Sequence, residues 1–355
     1  MLDPRWQCVL GRLLQRDVAL RLNVQAVHSQ ILTPERTGVR PAGIMLPGQI
    51  DRARATMPTS TMDYQKGIAL GGPIVHLATT LYVLANARIE QATIYGGGKR
   101  ESLLGVGIAE EFKRSLGKSL TRVRRGMLTS TRQGLLYFGD WLFENTSRVL
   151  LAEELGEQPF SMVRTPAYGH AARYIELFQL QYQEVVRASF DELVVIDDWG
   201  HSPEKAARYR KLRDRVRASR GRKSGHDVFV VRGRSGQARV LANEQACIEW
   251  AQQRGFSIVD PSKMSVDELV YELKDARCVA GVEGSGLLHG LAAMASDGFL
   301  LAIVAADRFV VGAKEYADPL NIPFAMVVAD KGDLNGFEVD IQELDATYEL
   351  ARSST

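Results

Sequence analysis

The sequence holds only three cysteines, Cys8, Cys247 and Cys278, and they stand far apart. That excludes a disulfide framework and a Cys-x-x-Cys metal pair, and makes a reduced, cytosolic protein the expectation. No apolar run reaches the ~18 residues that a membrane span needs. The opening MLDPRWQCVLGRLLQRD has neither a clean apolar core nor a small-residue cleavage pattern, so no signal peptide is expected. An excess of one charge sign is also lacking. Lys plus Arg number 44 against 42 Asp plus Glu, so no global field draws the chain onto nucleic acid or a membrane. What is there is ordinary soluble material: 355 residues, 45% apolar and 24% charged. This composition excludes disordered, collagen-like and coiled-coil classes, and the length suits two domains. No internal repeat of fixed period is present.

The C-terminal part reads as strands alternating with helices. VFVV (228–231), FSIV (256–259), CVAGV (278–282), FLLAIVA (299–305) and FAMVV (324–328) are the strands. Between them, Asn243 is placed to cap a helix that ends at Gly255, and Ser265 with Glu268 has capping-box spacing. Such alternation implies crossover units and a parallel sheet. The N-terminal part is less regular. Residues 18–95 hold alternating apolar–polar runs with Gly, Pro and Asn breaks, which predicts antiparallel strands. From Gly134 the pattern changes. GLLYFG suggests a strand, DWLFENTSRVLLAEELG a helix stopped at Gly156, and PFSMV a strand. AARYIELFQLQYQEVVR then reads as a helix with Tyr174, Phe178 and Tyr182 in the core, and ELVVID (192–197) as a strand. The fold class expected is α/β, with one domain over 1–200, β-rich at its start, and a second over 201–355.

Charge is uneven locally. Between 201 and 240 there are 13 Lys or Arg against three acids, Glu204, Asp214 and Asp227. The first half has helical character, and the second, RGRKSGHD, is polar and marks the expected domain junction. A solvated helix face with a linker is one reading, and a positive rim beside a phosphate-bearing ligand is the other. The run lacks interleaved aromatics, so no nucleic-acid partner is expected. A second basic stretch, 99–125, leaves peripheral contact with an anionic membrane open beside the solvated-helix reading.

One loop stands out for chemistry. Gly281-Val282-Glu283-Gly284-Ser285-Gly286 follows a strand and opens a helix. Glycines there let a phosphate approach the backbone, and the helix N-terminus favours an anion. The loop is neither G-x-G-x-x-G nor a Walker A motif. A tight turn is its bland reading. Asp197-Asp198 has the wrong spacing for an Asp-x-Asp metal site, and no metal is assigned.

The run from Arg232 to Ala293 resembles the catalytic half of glycosyltransferase family 61. The resemblance rests on Arg232, Arg239, Asn243, Glu244, Gly255, Phe256, Glu268, Ala276, Gly281, Gly284, Ser285, Gly286 and Leu287. A fainter match lies at Tyr137-Phe138-Gly139-Asp140-Trp141-Leu142. Together these span about residues 130–330. Asp140 and Glu283 both stand where the family more often has His, which implies a divergent, bacterial branch.

The resemblance implies a GT-B architecture of two Rossmann-like domains. It also implies inverting, metal-independent transfer from a nucleotide sugar, expected UDP-linked, onto a glycan or lipid-linked saccharide in surface (capsular or lipo-) polysaccharide synthesis. Inversion needs one base to deprotonate the acceptor hydroxyl, and positive groups or N–H donors to hold the departing diphosphate. Asp140 is the expected base and Glu283 the second candidate. Gly284, Ser285 and Gly286 would cradle the diphosphate, with Arg232 and Arg239 neutralising its charge. Asn243, Glu244, Glu268 and His289 are further donor-binding candidates, each with a capping or core role as its alternative. No cofactor beyond the donor is expected. The location implied is cytoplasmic, with peripheral contact at the inner membrane and homo-oligomers left open. Two other readings remain at this stage: a nucleotide-sugar epimerase and a catalytically silent nucleotide-sugar or glycan binder.

Overall fold

The computed structural model describes residues 5, 7–9, 19–107, 110, 119–219, 221, 226–233, 240–331 and 336–355. In chain order its strands are β1 (His28–Thr33), β2 (Arg36–Arg40), β3 (Gly72–His76), β4 (Thr79–Glu90), β5 (Thr93–Gly96), β6 (Lys99–Ser102), β7 (Thr121–Leu128) and β8 (Pro159–Met162). Then come β9 (Gln183–Val185), β10 (Arg187–Asp197), β11 (Val228–Val230), β12 (Ser257–Val259), β13 (Cys278–Val282), β14 (Phe299–Ala305), β15 (Phe324–Lys331) and β16 (Phe337–Glu338). The chain folds as a mixed α/β protein of two compact units. The first is Met1–Arg36 with Val75–Arg208, and the second is Thr37–Ile74 with Tyr209–Thr355. The chain leaves the first unit inside helix Pro203–Arg217 rather than in the polar segment after it.

The second unit is the regular one. Its sheet runs β12-β11-β13-β14-β15-β16, with the first five strands parallel and β16 antiparallel at the edge. Both faces of a parallel sheet are covered by helices, so its strands read as unbroken apolar runs. β13 and the first six residues of β14 are buried throughout. Helices Glu244–Gln253, Val266–Leu273, Ser285–Ala293 and Ile341–Ser354 supply the covering. On one face Phe229, Cys247, Trp250, Leu301, Val327, Leu344 and Tyr348 form one apolar cluster.

The early segment 37–74 belongs to this unit, which its sequence did not announce. The Ile44 N–H donates to the Phe324 carbonyl at 2.8 Å, and the Met326 N–H donates back to Ile44 at 2.9 Å. Gln49 accepts the Val328 N–H, and the Gln65 side-chain oxygen accepts the Val311 N–H at 2.9 Å. The buried Lys314 ammonium donates to the Pro41 carbonyl at 2.6 Å and to Asp318 at 2.7 Å. These bonds satisfy buried polar groups that would otherwise lie orphaned.

The first unit has a mixed sheet, β6-β5-β4-β10-β7-β8-β9, with β1 on the same side of β4 as β5. β1, β5 and β10 lie antiparallel to β4, while β10, β7, β8 and β9 run parallel. The antiparallel strands expected before residue 95 are present. A helix, Met62–Leu70, interrupts them in sequence but belongs to the second unit, with Thr61 as its side-chain cap.

Two local expectations fail here. The proposed GLLYFG strand is helix Arg132–Leu136, because Thr131 caps it, its hydroxyl accepting the Gly134 N–H at 2.9 Å. The long helix expected from 171 stops at Leu177. Gln179 enters the left-handed region at φ 52°, and the chain then forms β9. Tyr174 and Phe178 are core as expected, while Tyr182 is only half-buried.

Candidate active site

In an open parallel sheet, ligands sit outside the carboxyl ends of the strands, where the strand order reverses. In the second unit that point lies between β11 and β13. The loops leaving those strands contain Arg232 and Gly233 on one side and Glu283, Gly284 and Ser285 on the other. Val230 and Gly281 are register partners, so the two loops start side by side. A Cβ on Gly281 would stand 2.6 Å from the Val230 carbonyl oxygen, so only glycine permits this approach. Gly284 takes φ 137° and ψ −167°, a conformation open to glycine alone, and turns the chain into helix Ser285–Ala293. The first N–H groups of that helix point out of its N-terminus, which is the geometry that receives an anion.

Side chains shape this edge in specific ways. The Glu244 carboxylate accepts the Arg232 N–H at 2.6 Å and the Gly233 N–H at 3.1 Å, so it moulds the loop after β11. Glu283 is 5% exposed. Its backbone N–H donates to Ile303, and one carboxylate oxygen accepts the Ala313 N–H at 3.4 Å. It therefore faces the start of helix Gly312–Ala317. Part of segment 37–74 also borders the edge. Arg54 and Ala55 donate to the Ala306 carbonyl, Phe309 donates to Ala55, and the Thr56 hydroxyl donates to Phe309 at 2.8 Å. No motif pointed to these residues; only the fold brings them beside the end of β14.

The other donor-side candidates divide. Arg232, Glu244, Glu283, Gly284, Ser285 and Gly286 are brought together. His289 is buried one turn into the helix. Asn243 holds the helix N-cap position, but its side chain makes no cap bond, contrary to expectation. It donates to the Val339 carbonyl at 2.8 Å and accepts the Val339 N–H at 3.2 Å, because pairing a backbone strand uses both ends of the amide. Glu268 is exposed and completes the capping box, accepting the Ser265 N–H and hydroxyl at 2.7 Å each. Arg239 lies outside the described residues.

Asp140 lies in the first unit. It does not stand between a strand and a helix, as the sequence suggested, and its side chain makes no cap bond. Helix Phe138–Asp140 begins after Tyr137, and Asp140 itself has helical φ and ψ. A π-helical turn, Trp141–Asn145, follows, and then helix Thr146–Leu155, stopped by Gly156 as expected. Single π turns often mark functional sites because they re-aim side chains. Asn145 secures this one by accepting from the Thr131 N–H at 3.1 Å and hydroxyl at 2.9 Å.

Aromatic rings cluster around Phe138, two residues before Asp140. Phe138 stacks on Trp141 at 5.7 Å and meets Tyr168 and His170 edge-on at 5.5 and 6.2 Å. The Arg164 guanidinium lies 4.0 Å over the Tyr168 ring, and its Nε donates to the Leu135 carbonyl. The Tyr168 hydroxyl donates to Gly134 at 3.2 Å. Burial pushes the Tyr168 phenol up to about 12; Arg164 opposes the rise, and the Asp140 carboxylate adds to it. The Asp140 carboxylate is thus close enough to this aromatic cluster to act on Tyr168, and aromatic faces beside a carboxylate suit polyhydroxylated rings. The sequence reading missed Arg164, Tyr168 and His170. No short motif links them to Asp140.

One π turn beyond Asp140 lies a buried charge network. The Lys205 ammonium, 1% exposed, contacts Glu144 at 2.8 Å and donates to the Asp198 carbonyl at 2.8 Å. Asp198 accepts the Thr79 hydroxyl at 2.7 Å and lies 3.6 Å from Arg208. Burial alone would raise the Glu144 carboxyl, but Lys205, Arg148 and His201 outweigh it and hold the group below the ordinary value. Asp197, next along, is raised by burial; Arg148 opposes this and Asp198 reinforces it. The basic helix is therefore only in part a solvated face, with Arg210 and Lys211 exposed. Lys205, Arg208 and Arg213 are buried, and Arg213 donates to the Leu291 and Met294 carbonyls. Among the described residues no group of three or more His, Cys, Asp or Glu is arranged to hold a metal. No described helix is long and apolar enough to cross a membrane.

No curated protein matches the chain. One family model does, described as Glycosyltransferase 61, over residues 138–299. The match opens at the helix that carries Asp140 and closes at the first residue of β14, so it takes in the β11 and β13 loops. Over residues 138–299 the chain is thus similar to glycosyltransferase family 61.

Proposed function

We propose that the protein is an inverting glycosyltransferase that moves a sugar from a nucleotide-sugar donor to a saccharide acceptor. The observation that carries this reading is the pair of loops at the strand-order reversal of the second unit. There the Gly284 turn opens a helix N-terminus beside Arg232. An N-terminus of N–H groups with a neighbouring guanidinium is what a departing nucleoside diphosphate requires. Arg232, Ser285 and Gly286 hold the diphosphate, Glu244 keeps the Arg232 loop in shape, and Glu283 organises the opposite wall. Asn243 and Glu268 have structural work and drop out of the donor site.

Asp140 is the base. In an inverting transfer one carboxylate takes the acceptor hydroxyl proton as the oxygen attacks the anomeric carbon, and the donor's C–O bond to phosphate breaks. Glu283 faces the amide of Ala313 and is the weaker choice. The acceptor is a glycan or lipid-linked saccharide of a cell-surface polymer, handled in the cytoplasm by an enzyme of the GT-B class. The donor nucleotide is UDP.

The test is a thermal-shift screen with UDP-, GDP-, CMP- and TDP-sugars and the free nucleotides. A ligand that binds only the folded state raises the melting temperature by mass action. UDP compounds should raise it for the wild type and not for Arg232→Ala. Asp140→Asn should keep the shift and lose ~100-fold or more in transfer, the scale of one general base. A melt unmoved by every nucleotide at millimolar concentration would refute the donor assignment.

A further inference from the structure

The loop that leaves β10, Asp198 to Ser202, is held at every residue except one. Asp198 is locked by Thr79, Lys205 and Arg208. Gly200 presses on the backbone of Leu77, where a Cβ would stand 2.2 Å from the carbonyl oxygen, so no other residue fits. The His201 carbonyl accepts from Arg36 at 3.3 Å, and its ring meets His76 edge-on at 6.4 Å. The Ser202 hydroxyl accepts the Lys205 N–H at 3.1 Å. Between these fixed points Trp199 is 60% exposed, whereas Trp141 and Trp250 are 7% and 6% exposed. A large exposed indole on an immobilised loop is a pre-ordered contact surface, because its ordering cost is met on folding. Two residues earlier, half-buried Asp197 ends β10, and its carboxylate accepts no hydrogen bond from the described residues.

We infer that Trp199 and Asp197 form a saccharide-binding platform for the acceptor, distinct from the aromatic cluster beside Asp140. The indole face takes the C–H face of a pyranose ring, and the Asp197 carboxylate accepts hydroxyl hydrogen bonds from its edge. The platform is tied to the candidate base through one chain of contacts: Trp199 follows Asp198, Asp198 holds Lys205, Lys205 holds Glu144, and Glu144 lies on the π turn after Asp140. It would hold a sugar unit of the acceptor away from the reacting hydroxyl. This role rests on the transferase reading, but sugar binding at Trp199 does not. Leu77 and Val75, each more than half exposed, lie near the loop. They make a lipid surface the rival occupant, and the carboxylate at Asp197 argues against it.

The test uses the full chain with methyl β-D-glucopyranoside, methyl β-D-galactopyranoside and methyl β-D-xylopyranoside at millimolar concentration. Saturation-transfer NMR reads ring C–H contact. At least one glycoside should show transfer with the wild type, weakened about three- to ten-fold in Trp199→Ala, the range a stacking contact supplies, and largely kept in Trp199→Phe. Asp197→Asn should weaken the same glycoside. Transfer absent in the wild type, or equal in Trp199→Ala, overturns the platform. So does sedimentation with phosphatidylglycerol vesicles that Trp199→Ala abolishes while glycoside contact is unchanged. Nucleotide-induced thermal shifts should be the same in wild type and Trp199→Ala, so a missing donor shift refutes the transferase reading separately from the platform.

Discussion

At the scale of single residues, burial decides which charges act as structure and which remain available for chemistry. Glu144 sits under the candidate base with its charge held by Lys205, Arg148 and His201. Its carboxyl lies below the ordinary glutamate value when folded. The stability it contributes is therefore complete above that ordinary value and is lost as pH falls through the lowered one. Glu144→Gln should melt below the wild type at neutral pH, and the gap should close as the pH drops under about 4.5; melting curves from pH 7 to 3 check this. Lys205→Ala removes the partner of two buried carboxylates and should cost about 3–5 kcal/mol by urea unfolding at neutral pH. The residue types were legible in the sequence. Their partners were not, since Glu144, Asp198 and Lys205 meet only when β10 and two helices pack.

At the scale of elements, the sequence spoke clearly where local chemistry decides. Ser265 and Glu268 form the expected capping box. Ser265→Ala should cost about 1 kcal/mol in urea melts. Glu268→Gln should leave any nucleotide-induced thermal shift unchanged; a weakened shift would return Glu268 to the donor site. The strand–helix alternation after residue 228 was legible because a parallel sheet covered on both faces needs unbroken apolar strands. Elements around 132–186 were misread for an equally local reason. Thr131 and Asn145 turned a β-like apolar run into a helix and a π turn, and Gln179 ended a helix whose apolar spacing ran on. Asn243 shows the opposite case. A good capping residue was spent on a strand 96 residues away.

At the scale of the whole molecule, segment 37–74 is the main departure from a chain divided once. It supplies Ile44, Gln49, Gln65 and the Pro41 carbonyl to backbone and side chains of the second unit. A fragment of residues 209–355 should therefore fail to melt cooperatively, whereas the full chain should. A sharp, two-state melt of that fragment would show the early segment to be dispensable. By itself, the sequence determined the parallel α/β sheet and the glycine turn after β13, because each depends on neighbours within one strand–helix unit. The tertiary structure alone decided that Arg232 and Glu283 flank one edge, that Lys205, Arg208 and Arg213 of the basic helix are spent internally, and that residues 37–74 complete the second unit. Those outcomes depend on hydrogen bonds and ion pairs between segments far apart in the chain, and no local pattern encodes which distant partner a buried polar group will find.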